Sequence, residues 1–251
     1  MRRAPVGVLL LALAGCSSGT TTTSESDGTK LTVLAASSLT ETFTELERIY
    51  EEDHAGVDVR LAFDSSATLA GQVIEGAPAD VLATADARTM ATVVDADVTA
   101  GDPSRFATNT MVLVVPVGNP AGIETFADLD QDGVGYLTCA ESAPCGAVAE
   151  SLLDLNHVEA PPKSFEIDVK AVLTKIELDE ADAGLVYATD ATSAGDRVET
   201  ITIPGSSGEV NSYLVAPVVQ SQNTDAARGW VELLLSEKGQ DVLREAGFGT
   251  P

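Results

Sequence analysis

Two serine pairs, Ser37-Ser38 and Ser65-Ser66, each close an apolar, β-prone run and open a stretch with helical spacing. They read as Val33-Leu34-Ala35-Ala36-Ser37-Ser38-Leu39-Thr40-Glu41 and Phe63-Asp64-Ser65-Ser66-Ala67-Thr68-Leu69-Ala70. The start of a helix carries backbone N–H groups without intrahelical partners and roughly half a unit of positive charge. Two such starts, each bearing a hydroxyl, predict a site for an oxyanion. Nucleophilic chemistry is the remote alternative, as in a serine hydrolase. The chain has no Gly-x-Ser-x-Gly elbow, no His-Glu-x-x-His pair and no phosphate loop ending in Gly-Lys-Ser or Gly-Lys-Thr. Its two histidines, His54 and His157, lie near none of these segments and read as surface residues.

The elements that must position the serines follow an alternating pattern of buried runs and helical spacing, which marks an α/β protein. Residues 31–36 read as a buried strand. The following helix shows Leu39, Phe43, Leu46 and Tyr50 on one face, and Ser38 with Glu41 fits a capping box. Strand 57–63, helix 67–75, strand 80–84 and helix 87–95 follow. Met111 to Pro116 is a strong strand and the expected crossing into a second lobe. That lobe is predicted to hold a short helix at 125–129, strand 134–138, helices 146–155 and 169–178, and strand 183–187 ending on Tyr187. Residues 213–219 read as a strand returning to the first lobe. A last helical stretch carries Trp230, Leu233, Leu234, Val242 and Leu243, broken at Glu237-Lys238-Gly239. A chain that leaves one α/β lobe, builds another and returns predicts a hinged clamshell with its ligand in the cleft.

The first residues read as an address. Arg2 and Arg3 precede an apolar run from 4 to 14, too short to span a bilayer and suited to a secretory signal. The run ends in Leu13-Ala14-Gly15-Cys16, which resembles the bacterial lipobox and implies cleavage after residue 15 and lipidation of Cys16. Residues 17–29 contain no apolar side chain that could build a core and predict a flexible tether of roughly 20 Å. The expected product is an extracytoplasmic domain lipid-anchored to the cell membrane. Loss of the leader takes the basic side chains from 14 to 12 against 39 acidic ones, a formal charge of −27. Such a surface excludes nucleic acid as a natural partner. It does not exclude a small anion, because screening over about 8 Å confines the repulsion while donors in a pocket act at contact.

Cys139 and Cys145, six residues apart, are expected to form a disulfide in an oxidising exterior. Zinc would need four ligands, and neither histidine offers one at the usual spacing. A catalytic thiol would need a partnered histidine.

Several segments taken together resemble the molybdate-binding proteins of bacterial ABC importers. They are Ala35-Ala36-Ser37-Ser38-Leu39, residues 63–70, Gly76-Ala77-Pro78-Ala79-Asp80, Pro144-Cys145-Gly146, Asp168-Val169-Lys170, Gly184-Leu185-Val186-Tyr187 and the tail Leu235-Ser236-Glu237-Lys238-Gly239-Gln240. The resemblance covers about residues 30–250. It implies a type II periplasmic-binding-protein fold, with lobe I from 30–107 and 213–251 and lobe II from 108–212. It also implies a membrane permease as partner and a ligand set for molybdate or tungstate. That set is the hydroxyls of Ser38 and Ser66, the N–H groups of Cys145 and Val169, and the phenol of Tyr187. Ser37 is the alternative to Ser38. No cofactor and no direct metal coordination by side chains are implied, and a monomer is expected. Sulfate or another tetrahedral oxyanion is the alternative ligand. Asp64, Asp80 and Asp86 are read as caps and braces, with the orientation of Asp64 open. Lys170 is expected to lie along its own helix.

Overall fold

The computed structural model describes residues 28–251. The expected signal, the lipidation site Cys16 and most of the tether lie outside the described residues. From the start, β1 (Thr29–Ala36), α1 (Thr40–Asp53), β2 (Val57–Asp64), α2 (Ser66–Ile74), β3 (Val81–Thr84), α3 (Ala87–Asp95) and β4 (Ser104–Asn109) follow one another. Then come β5 (Met111–Pro116), β6 (Tyr136–Cys139), α4 (Pro144–Leu155), β7 (Ser164–Glu166), α5 (Val169–Glu177), β8 (Ala183–Tyr187), α6 (Ala188–Ala194) and β9 (Val198–Ile201). The chain closes with β10 (Asn211–Pro217), α7 (Thr224–Leu235) and α8 (Glu237–Glu245).

Among the described residues, ten strands form two five-stranded sheets, ordered β2-β1-β3-β10-β4 and β7-β6-β8-β5-β9. The strands β1, β2 and β3 run parallel and β10 returns antiparallel to β3, while β8 lies parallel to β6 and antiparallel to β5. The two lobes are thus each a mixed sheet with helices on its faces. The chain passes to the second sheet after β4 and returns in β10.

Both faces of the first sheet are buried, as a central parallel strand requires. Leu31, Val33 and Ala35 of β1 pack with Phe43, Leu46, Tyr50 and Trp230 on one face. Leu34 packs with Leu69, Val73, Met90 and Val93 on the other. Residues 39, 43, 46 and 50, placed on one helical face by their spacing, are all buried. The second sheet has its own core, in which Val172, Leu173 and Ile176 of α5 cover Leu185 and its neighbours. Among the described residues no helix is long and apolar enough to cross a membrane.

Three strands had no signal in the sequence: β4, β7 and β9. Each is an edge strand. An edge strand pairs on one side only, so Ser-Arg-Phe-Ala-Thr-Asn in β4 and Val-Glu-Thr-Ile in β9 can remain polar. The break near the C-terminus also differs from expectation. Glu237, Lys238 and Gly239 open α8, and the interruption is Ser236, whose hydroxyl accepts the Gly239 N–H at 3.1 Å.

Candidate functional site

Five elements from both lobes converge on one small cavity between the sheets. Its wall includes Ser38, Ser66, Cys145, Val169 and Tyr187 together. Ser37 also reaches this wall, as do Asp64 and Asp168. The cavity is about 10 Å³, measured at the centre of a water-sized sphere. It therefore suits one compact polyatomic ion and has no room for a sugar, amino acid or peptide.

The local reasons for convergence differ. Ser38 is the middle residue of a 3-10 turn, Ser37–Leu39, that runs directly into α1. Ser66 and Val169 are the first residues of α2 and α5, and Cys145 is the second residue of α4, behind Pro144. Pro is suited to a first helical position because no acceptor awaits its missing N–H. Tyr187 ends β8 and leads into α6. Four helical starts facing one cavity supply about two units of partial positive charge. Among the described residues the first-turn N–H groups of Cys145 and Val169 have no protein acceptor.

Neither serine caps its helix. The N-cap position of α1 is Leu39, without a side-chain hydrogen bond, so the expected Ser38–Glu41 capping box does not form. Ser38 turns instead to Tyr213, Oγ to phenol oxygen 2.8 Å, and Glu41 turns to Lys170. The cap of α2 is Ser65, leaving the Ser66 Oγ to accept the buried Ala85 N–H at 2.9 Å.

These contacts orient the hydroxyl protons. Ser66 Oγ already accepts, so its own proton is free to donate into the cavity. At Ser38, Asn109 Nδ2 donates to the Tyr213 oxygen at 3.4 Å. Either oxygen of the Ser38–Tyr213 pair can donate; with the Tyr213 proton on Ser38 Oγ, the Ser38 proton is free for the cavity. Asn109 is held in turn by Thr189 Oγ1 at 2.8 Å. Tyr187 is fully buried and its hydroxyl has no partner among the described residues. Burial, with Tyr213, Asp190 and Asp86 nearby, pushes its pKa well above the usual range, so it stays a donor. Tyr213 is raised for the same leading reason. All five groups can donate at once.

The acids behave as caps and braces. Asp80 accepts from Thr32 N–H at 2.7 Å and Ser221 Oγ at 2.6 Å, and Asp86 caps α3 through Thr89 N–H at 2.8 Å. Asp168 caps α5 through Ala171 N–H at 2.9 Å. Asp64 turns one carboxylate oxygen onto Ser65 N–H at 2.6 Å, which settles its orientation. Lys170 departs from its expected course. Its ammonium does not follow α5 but crosses to the other lobe, where it meets both carboxylate oxygens of Glu41 at 2.8 Å.

Cys139 and Cys145 are disulfide-bonded, with Cα atoms 5.7 Å apart. The bond ties the end of β6 to the first turn of α4. His54 stacks on Tyr50 with ring centroids 4.0 Å apart, and its Nδ1 lies 2.9 Å from the Tyr50 carbonyl oxygen. Neither histidine is on the cavity wall. Among the described residues, no three His, Cys, Asp or Glu side chains are grouped to hold a metal ion. Sequence reasoning missed Tyr213, Asn109 and Ala85. Tyr213 sits inside an apolar run and looks like core, and Ala85 contributes only its backbone.

Proteins built this way, two α/β lobes closing over a buried set of donors, catch a small solute between the lobes. The chain belongs to the family described as bacterial extracellular solute-binding proteins, which it matches over residues 31–249. It is 37% identical over 248 residues to the molybdate-binding protein ModA of Mycobacterium tuberculosis, covering 97% of this chain and 95% of that protein. Among solved structures it resembles the periplasmic molybdate-binding protein of Azotobacter vinelandii, with a TM-score of 0.78 and 17% identity over 88% of this chain and 99% of that one. It also resembles the sulfate-binding protein SubI of M. tuberculosis, with a TM-score of 0.77 and 20% identity over 88% and 86% of the two chains. At these identities the structural likenesses speak for the fold.

Proposed function

We propose that this protein binds molybdate outside the membrane and delivers it to an ABC importer, with Ser38, Ser66, Cys145, Val169 and Tyr187 as the ligand set. The observation that carries the reading is a cavity of single-ion size into which the five groups of this set can all donate, while the wall carboxylates Asp64 and Asp168 are engaged by Ser65 and Ala171 N–H. A fully deprotonated tetrahedral dianion accepts from every direction and matches such a set. A hydrogen phosphate would bring a proton that needs an acceptor. Hydrogen bonds to a charged acceptor are worth about 1.5–3 kcal/mol each, and five or more offset the dehydration of the ion. Tungstate, of nearly the same size, belongs to the same reading. Sulfate shares the charge and shape but is smaller.

Titration calorimetry tests this directly. Molybdate and tungstate should bind the protein with similar strength, sulfate far more weakly and phosphate weakest. Equal affinity for sulfate would overturn the assignment to molybdate. The protein is a binder and not a hydrolase on this reading, since the serine hydroxyls are engaged with Ala85 and Tyr213 and have no imidazole beside them.

The same proposal includes a leader at 1–15, a lipid on Cys16, a tether that ends before Thr29, which belongs to β1 rather than to the tether, and a monomeric domain. Its lobes are 30–107 with 213–251, and 108–212; the sheets change over at Thr110 and between Ile201 and Asn211, close to those limits. The Cys139–Cys145 bond holds the Cys145 N–H toward the ion and lowers the ordering cost of capture. Replacing both cysteines by alanine should weaken molybdate binding modestly and leave the preference over sulfate nearly unchanged. Complete loss of binding would mean that the sulfurs do more than stiffen the loop.

A further inference from the structure

We infer that Lys170, Glu41 and Asp190 form an ionic clasp that holds the closed cleft shut and sets how long the oxyanion stays bound. The inference rests on the proposed capture of an oxyanion and names a device for its retention. Lys170 Nζ lies 2.8 Å from both oxygens of Glu41 and 3.1 Å from Asp190 Oδ1. Ser193 Oγ lies 3.4 Å away. Glu41 belongs to the first lobe, on α1, whereas Lys170 and Asp190 belong to the second, on α5 and α6.

The placement of the three residues gives the clasp its function. Glu41 stands three residues beyond Ser38. Lys170 directly follows Val169, and Asp190 stands three residues beyond Tyr187. One ammonium therefore ties together the three elements that present Ser38, Val169 and Tyr187 to the cavity. None of the three charged groups is on the cavity wall, so the clasp positions the ligand set without touching the ion.

The two halves of the clasp differ in burial. The Asp190 side chain has no exposed surface, and Glu41 is about half exposed, at 55%. Burial lifts the Asp190 carboxyl to about 6 even with Lys170 beside it. Burial by itself would lower the Lys170 ammonium, yet Asp190 and Glu41 hold it above the ordinary lysine range. Asp190 thus keeps Lys170 charged and in place within its own lobe. Glu41 is the half that engages on closing and lets go on opening. A pair formed only in the closed state slows opening, so its loss appears in the release rate more than in the capture rate.

The variant to test is Glu41→Gln, because removing Lys170 would leave Asp190 as an unpaired buried carboxylate and put folding at risk. Protein loaded with radiolabelled molybdate is chased with unlabelled molybdate at low and at high salt. At low salt Glu41→Gln should release the ion about three- to tenfold faster than wild type, with capture changed less than about twofold. High salt should speed release from wild type and leave the variant nearly unaffected. Equal release from the two proteins would overturn the clasp. If wild type retains no molybdate, the proposed ligand fails instead, and small-angle scattering decides the clasp. Without oxyanion the variant should then show the larger radius of gyration, and equal radii would overturn it.

Discussion

Tyr187→Phe should lower molybdate affinity by about 10- to 150-fold while leaving the ligand-free protein as stable as wild type or more so. The two effects part because the hydroxyl is buried without a partner among the described residues. A buried donor with no acceptor costs about 1–3 kcal/mol, and deleting it relieves that cost. The ring remains, and its edge-to-face packing on Tyr213, at a centroid distance of 6.0 Å, is unchanged by the substitution. A bound dianion is the acceptor that the hydroxyl awaits, so phenylalanine forfeits a charge-assisted bond of about 1.5–3 kcal/mol. At about 1.4 kcal/mol per tenfold, that gives the stated loss in affinity. Calorimetry and thermal melting, each with and without molybdate, separate the two arms. Unchanged affinity would remove Tyr187 from the ligand set, and a large fall in ligand-free stability would make it a core tyrosine.

Much of this site could be read from the chain because its donors sit where local signals are strongest. A strand followed by Ser-Ser and an apolar helical stripe announces a helix start, and three more of the five proposed groups stand at comparable boundaries. The buried strands β1, β5 and β8 were equally plain, since both faces of such strands must be apolar. What the chain concealed depends on contacts distant in sequence. The Ser38–Tyr213 bond spans 175 residues and the Ala85–Ser66 bond spans 19. Local reasoning made Ser38 a cap, because a serine before a helix usually is one. The folded protein pairs the Ser38 and Ser66 oxygens with Tyr213 and Ala85, which leaves the Ser66 proton for a ligand and lets Ser38 donate when Tyr213 donates to it.

Lys170 was misplaced for a related reason. Within its helix it has no acidic neighbour that would draw it aside, and the residues that do so, Glu41 and Asp190, come from other elements. The helix α6 was also hidden. Its sequence, Ala-Thr-Asp-Ala-Thr-Ser-Ala, has no stripe of large apolar residues, and the small side chains Ala191 and Ala194 join it to the core of the second lobe.

Gly146→Ala should damage both folding and binding, against the usual gain from replacing a helical glycine by alanine, about 1 kcal/mol. A methyl group at this position would fall 2.0 Å from the Ala140 carbonyl oxygen, 2.4 Å from its carbon and 2.8 Å from the Cys139 oxygen. All three are backbone atoms in a segment that has little freedom to withdraw. Ala140 N–H is bonded to Glu166 O at 2.8 Å, Ala140 O accepts from Ala143 N–H at 2.9 Å, and the disulfide joins residues 139 and 145. Overpacking of this kind costs about 1–3 kcal/mol of stability. The displaced atoms include the first turn of α4, so the Cys145 N–H moves off its line to the cavity and affinity should fall at least about tenfold. The disulfide supplies a check on the cause. With Cys139 and Cys145 both changed to alanine, the 139–145 segment can recoil, and the added cost of Gly146→Ala should shrink. A double-mutant cycle read by melting and by molybdate titration should therefore show coupling between the two changes. Strict additivity would mean that the loop yields without help from the broken bond, and that the crowding around Gly146 is not what fixes the Cys145 N–H.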